Sequence, residues 1–190
     1  LTGSLGIFGE QESITQEGVT RHYNLIGLPV SLKYDSTTSL LDPTNGIRAA
    51  FTVTPIHAMS NPSSDFVLMQ AAGSTYLDVF QDGRSVIALR GLVGGATGVN
   101  VFGLPPDQRF YAGGSGTVRG YRYQSIGPQF PDNKPIGGTS IAAGTLELRQ
   151  RILDNYGVAA FVDAGQVSAT GGPFADAWRV GAGVGARYYT

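Results

Sequence analysis

Apolar and polar residues alternate one by one along stretch after stretch of this chain, and a helical period is hard to find. A period of two places successive side chains on opposite faces of a strand. The last stretch shows it most cleanly. From 178 to 189 one face carries Trp178, Val180, Ala182, Val184, Ala186 and Tyr188, and the other Arg179, Gly181, Gly183, Gly185, Arg187 and Tyr189. The same split occupies 25–35, 46–55, 66–79, 84–93, 140–149 and 157–166, and Leu1–Phe8 alternates too. The reading is all-β, with about eight strands.

The punctuation between strands comes in two lengths. Gln81-Asp82-Gly83, Arg151–Asn155 and Asp42-Pro43-Thr44-Asn45-Gly46 read as short turns, whereas 9–21, 57–64 and 167–176 read as longer polar links. In an antiparallel meander this alternation puts the short turns at one end of the sheet and the long links at the other, as in outer-membrane barrels. The spans are longer than the usual soluble strand of about 5–6 residues, and suit tilted membrane strands of about 9–11. The apolar faces are rich in Ala, Val, Thr and Gly, with aromatics near strand ends, where a soluble sandwich would carry large core side chains. The expected architecture is therefore an antiparallel transmembrane β-barrel, with Trp178 and Tyr188 as anchors at the membrane interface. Arg179 and Arg187 read as lumen-facing charges without a specific task.

Composition narrows the function. Charged residues are 14% of the 190, against roughly 25% in an ordinary soluble domain. With 13 Lys+Arg against 14 Asp+Glu there is no surplus of cations to neutralise nucleic-acid phosphates. There is no cysteine, so no disulfide or thiolate metal site, and no cofactor or metal is expected. No apolar run is long enough for a membrane helix, no signal peptide is read, and the missing initial Met leads us to expect a segment of a longer protein. The only histidines, His22 and His57, have no nucleophile or carboxylate companion at a telling spacing, so an enzyme is not expected.

One segment breaks the regularity. From about 96 to 136 the chain runs between two strands with Phe102, Leu104, Phe110, Tyr111, Tyr121, Tyr123 and Phe130 in it. Links beyond about 12–15 residues are usually functional or disordered, and a segment this aromatic needs something to pack against. In a barrel the nearest space is the lumen. A cation at Arg119 would there need carboxylate partners. The alternation puts Glu147 and Asp163 on the inward faces of the two strands that follow.

The centre of this segment, Arg109-Phe110-Tyr111-Ala112-Gly113-Gly114 through Val118-Arg119-Gly120-Tyr121 to Ser125-Ile126-Gly127-Pro128, resembles loop six of the Omp85 superfamily (bacterial surface antigen D15 type), with its VRGF/Y motif. Gly144–Arg149 and Phe161–Gly165 resemble the two strands after that loop, and Tyr34-Asp35 and Asp42–Gly46 a strand end and turn. The similarity covers most of 23–190. Among the branches, Tyr121, the Gln124–Pro128 stretch and Phe161–Gly165 look most like TamA, the translocation and assembly module barrel, with BamA as runner-up.

The resemblance implies a fragment of about eight strands from a barrel of about sixteen, with 1–190 as a partial barrel domain and the POTRA domains and terminal strands absent. It implies that Arg119 is clamped by Glu147 and Asp163. Gly113, Gly114 and Gly120 are expected to let the backbone approach the wall closely. It implies an outer-membrane assembly factor that opens laterally and pairs strands with unfolded clients such as autotransporters, in contact with outer-membrane lipid and a TamB-like inner-membrane partner. A BamA-like general insertase and a passive porin are the alternatives. With the gate strands outside it, this segment alone is not expected to catalyse insertion.

Overall fold

The computed structural model describes residues 1–59 and 64–189. The alternating stretches form ten strand segments: β1 (Thr2–Leu5), β2 (Phe8–Gln16), β3 (Val19–Gly27), β4 (Val30–Asp35), β5 (Gly46–Ala58), β6 (Ser64–Asp78), β7 (Ser85–Thr97), β8 (Ser140–Arg151), β9 (Tyr156–Ser168) and β10 (Arg179–Tyr188). A single 3-10 turn, Pro106–Gln108, is the only helix among the described residues. All pairings are antiparallel in one open sheet, in the order β1-β4-β5-β6-β7-β8-β9-β10, with β2 on β3 and β3 also on β5.

Ten segments reduce to eight ribbons. The β1–β4 register, Thr2 opposite Lys33, runs through a Gly6 N–H to Pro29 carbonyl bond of 2.9 Å into the β2–β3 register, Phe8 opposite Gly27. β5 pairs in one continuous register with both β4 and β3. The two long ribbons are thus interrupted only near Gly6-Ile7 and Leu28-Pro29, where a proline has no N–H for the ladder.

The expected 9–21 link is corrected by this. It is β2 from its second residue on, a two-residue turn at Glu17-Gly18, and the first three residues of β3. Both turn residues have positive φ, 49° and 74°, the backbone of a primed hairpin turn. Two features hid it. Glutamate is an unusual residue at such a φ, and the half-buried side of β2 carries Glu10, Glu12 and Gln16 among its apolar residues, so polarity does not alternate there. The segregation of link lengths is corrected as well. The tight turn at 17–18 lies at the same end as the long 98–139 and 169–178 links, and the 36–45 link lies with the short 79–84 and 152–155 turns. Part of the expected 57–64 link belongs to β5 and β6, and 60–63 lie outside the described residues.

The two faces differ as the alternation requires. Outward side chains such as Leu32, Phe51, Leu89, Leu146, Val162 and Val180 are each about half exposed. Trp178 and Tyr188 sit on this face at the two ends of β10, beside Phe174 and Tyr156 respectively. Inside, there are two apolar cores. One joins Tyr23, Leu25, Ile56, Ala58 and Phe66 to Leu104, and the other joins Ile141 and Val167 to Ala112, Val118 and Ile126. Each core needs residues from the 98–139 segment.

Candidate functional site: a loop pinned to the inner wall

After Thr97 the chain turns back over the inner face and orders itself by its own hydrogen bonds. Phe110 bridges Gly138, Ala112 bridges Ile126, and Gln129 bridges Pro135. Leu104 is fully buried in the first core. Arg109, only 4% exposed, ties the start of the segment to its end: Nε donates to the Leu104 carbonyl (2.9 Å), and Nη1 to the Ile136 carbonyl (3.0 Å) and to Gln16 Oε1 (3.1 Å). Nothing in the linear sequence marks Arg109 for this, because two of its acceptors are backbone carbonyls that no residue type announces.

The Val118-Arg119-Gly120-Tyr121 turn comes down on β8, β9 and β10. Arg119 donates from its backbone N–H (2.9 Å) and from Nε (2.7 Å) to Asp163 Oδ2, and from Nη2 to Oδ1 (2.9 Å). Its Nη1 donates to Glu147 Oε2 at 2.6 Å. The planar guanidinium lies 3.4 Å from the centre of the Phe161 ring. This is the forked geometry that arginine supplies and lysine cannot. Its hydrogen bonds to Asp163, and to a lesser extent to Glu147, raise the pKa of Arg119 above its ordinary value despite partial burial. Asp163 is fully buried. Removing one member of such a pair costs about 3–5 kcal/mol in a dry interior; Arg119, a quarter exposed, should cost less.

The wall is shaped for this turn by glycines other than the ones expected. A side chain on Gly165 would stand 2.7 Å from Val118 Cγ2, one on Gly181 would collide with the Arg119 carbonyl oxygen, and one on Gly183 would meet the Phe161 ring at 2.7 Å. These three inward positions form the slot in which Val118, fully buried, and the Arg119 backbone lie. The expectation for Gly113, Gly114 and Gly120 is corrected. Gly113 and Gly114 have positive φ and press on Arg122, Ser125 and Tyr123 of their own loop, and Gly120, at φ +90°, has open space around it. They shape the turn, and the wall glycines make the room. Tyr121 donates from its hydroxyl to the Val180 carbonyl at 3.3 Å, tying the turn to β10.

Three groupings lie beyond the reach of linear spacing. Arg187 is not an isolated lumen charge, since it stands 3.0 Å from Asp42 and 3.7 Å from Glu147. The carboxylates of Glu10, Glu12 and Asp107 gather within 4.8 Å of one another. Each histidine does have an exposed partner, Ser13 for His22 and Asp65 for His57, both at 2.7 Å, but the two pairs lie on different strand pairs.

The model of the Omp85 superfamily domain matches residues 5–190. The fold is similar to a crystal structure of BamA from Haemophilus ducreyi lacking POTRA domains 1–3, with a TM-score of 0.71 and 20% identity over 90% of this chain. The chain spans 38% of the length of that one.

Proposed function

Since the chain belongs to the Omp85 superfamily, we propose that it is part of an outer-membrane barrel that assembles other outer-membrane proteins, of the TamA type, with autotransporters among its clients. The 98–139 segment is, in this reading, the family's loop six, and the half-exposed outer face meets lipid. Client strands add to a sheet edge by main-chain pairing, so that their polar backbone does not enter lipid unpaired. A TamB-like protein would be the inner-membrane partner, reached through POTRA domains of the longer protein. No nucleotide or metal is called for, because burial and strand pairing supply the driving force.

The observation that carries this reading is the pinning of Arg119 to Asp163 and Glu147. A segment clamped so firmly to the inner wall occupies the bore, which suits a barrel that works at its seam and disfavours a passive porin. A BamA-type general insertase is the second reading, favoured by the fold likeness to BamA.

The test is replacement of the full-length protein in its own cell by the Arg119→Glu variant. The TamA-type reading expects autotransporters to be lost from the surface while other barrel proteins persist. A general loss would favour the BamA type. Unchanged surface proteins, together with a steady large conductance of the purified protein in planar bilayers, would overturn both.

A further inference from the structure

Beyond the clamp, the inner wall carries a second cluster, at the end of the sheet that holds the 36–45, 79–84 and 152–155 links. Arg149 and Arg151 project from β8, and Arg187 from β10. Arg151 and Arg187 both lie in register with Gly157 of β9 between them. The Tyr189 ring fills the space a side chain at 157 would take, within 3.0 Å of that position. Its face receives Arg151 at 3.9 Å and Arg187 at 5.6 Å, and Tyr76 receives Arg149 at 5.4 Å. Aromatic faces thus hold three guanidiniums in place.

Their charge is not matched. Arg119, Arg149, Arg151 and Arg187 share three carboxylates: Asp163, Glu147 and Asp42. Asp163 is spent on Arg119, and Glu147 is divided between Arg119, Arg149 (2.8 Å) and Arg187 (3.7 Å). Asp42 alone addresses all three remaining cations, at 3.0 Å to Arg187 and 3.8 Å each to Arg149 and Arg151. Arg149 Nη1, Arg151 Nε and Arg187 Nε are buried with no hydrogen-bond acceptor. Buried donors left unpaired are costly, and a further oxyanion would satisfy them.

Asp42 reaches the cluster on the 36–45 link, from the far part of the sheet. Its side chain is about a third exposed, and it lies between exposed Leu41 and buried Pro43. We propose that Arg149, Arg151 and Arg187 form an oxyanion-binding site on the inner wall, with the Asp42 carboxylate as an internal ligand that an incoming carboxylate or phosphate displaces. The site faces the bore and not the lipid. In the assembly reading above, on which this part rests, the carboxylate would come from a client polypeptide; a free phosphate would not depend on that reading.

The experiment is a titration of the full chain, folded in detergent, followed by the arginine side-chain Nε–H signals in NMR. One arm uses inorganic phosphate. The other uses a short peptide with a free terminal carboxylate, beside the same peptide amidated. The expected result is saturable movement of the Arg149, Arg151 and Arg187 signals with at least one probe. Binding should tighten about fivefold in Asp42→Asn, where the internal competitor is gone, and be lost in Arg151→Gln/Arg187→Gln. Response to the carboxylate peptide, and not to its amide, assigns the site to polypeptide ends or acidic side chains; response to phosphate alone keeps the site and removes the client from it. The absence of a saturable response in both the wild type and Asp42→Asn, or a response that survives the double arginine change, would overturn the proposal.

Discussion

The backbone N–H and the side chain of Arg119 grip the same carboxylate, that of Asp163. One acid therefore fixes both where the loop passes and how its cation points. Glu147 reaches only the outer nitrogen.

The two acids should accordingly not be equivalent. Asp163→Asn leaves a buried group facing a cation and weakens three bonds, and is expected to cost about 3 kcal/mol. Glu147→Gln is expected to cost about 1–2 kcal/mol, since Arg119 keeps its fork on Asp163 while Arg149 and Arg187 lose the acid they share with it. Urea unfolding of the detergent-folded protein, followed by gel mobility, measures both; equal losses would contradict the asymmetry.

Charge exchange should work at only one of the two positions. Arg119→Glu is expected to release the loop. Glu147→Arg on that background should restore a small part of the stability: it recreates a pair without disturbing the bond to the backbone of residue 119, but it takes their shared acid from Arg149 and Arg187. Asp163→Arg should restore nothing, since it removes the acceptor of that N–H. A double-mutant cycle on protease resistance of 98–139 reads the difference.

Gly181→Ala should displace the loop although it touches no charge. The new methyl meets the Arg119 carbonyl, which is backbone and cannot swing aside. Overpacking of this sort costs about 1–3 kcal/mol. Gly185→Ala, two inward positions along the same strand with open space around it, should be close to neutral. Labelling of a cysteine placed at Thr117 reports whether the turn has lifted.

Arg109→Met should loosen the loop at both ends together. It strands the Leu104 carbonyl and leaves that of Ile136 only the long bond from the Tyr111 hydroxyl, 3.4 Å. A buried acceptor left unpaired costs about 1–3 kcal/mol. Hydrogen exchange should speed up around 104 and around 136 in the same variant. A change confined to one end would contradict the tie.

Much of this architecture was legible in the chain. Strict alternation placed the ribbons, separated Leu146 and Val162 from Glu147 and Asp163, and put the acids on the face where the loop lies. The hairpin of β2 and β3 was not legible, because acidic residues occupy its half-buried side and a glutamate makes its turn. Gly165, Gly181 and Gly183 were visible only as small residues on a polar face, since their purpose is set by what packs on them from elsewhere. Arg109 and the gathering of Arg149, Arg151 and Arg187 around Asp42 depend on contacts between distant parts of the chain. They become visible only once the sheet is curved.

Leu104 completes one core and Val118 the other. The inserted segment is therefore not a plug that could swing aside while the wall stands. Withdrawing it would dissolve the packing of both regions, so insert and wall should melt in a single transition.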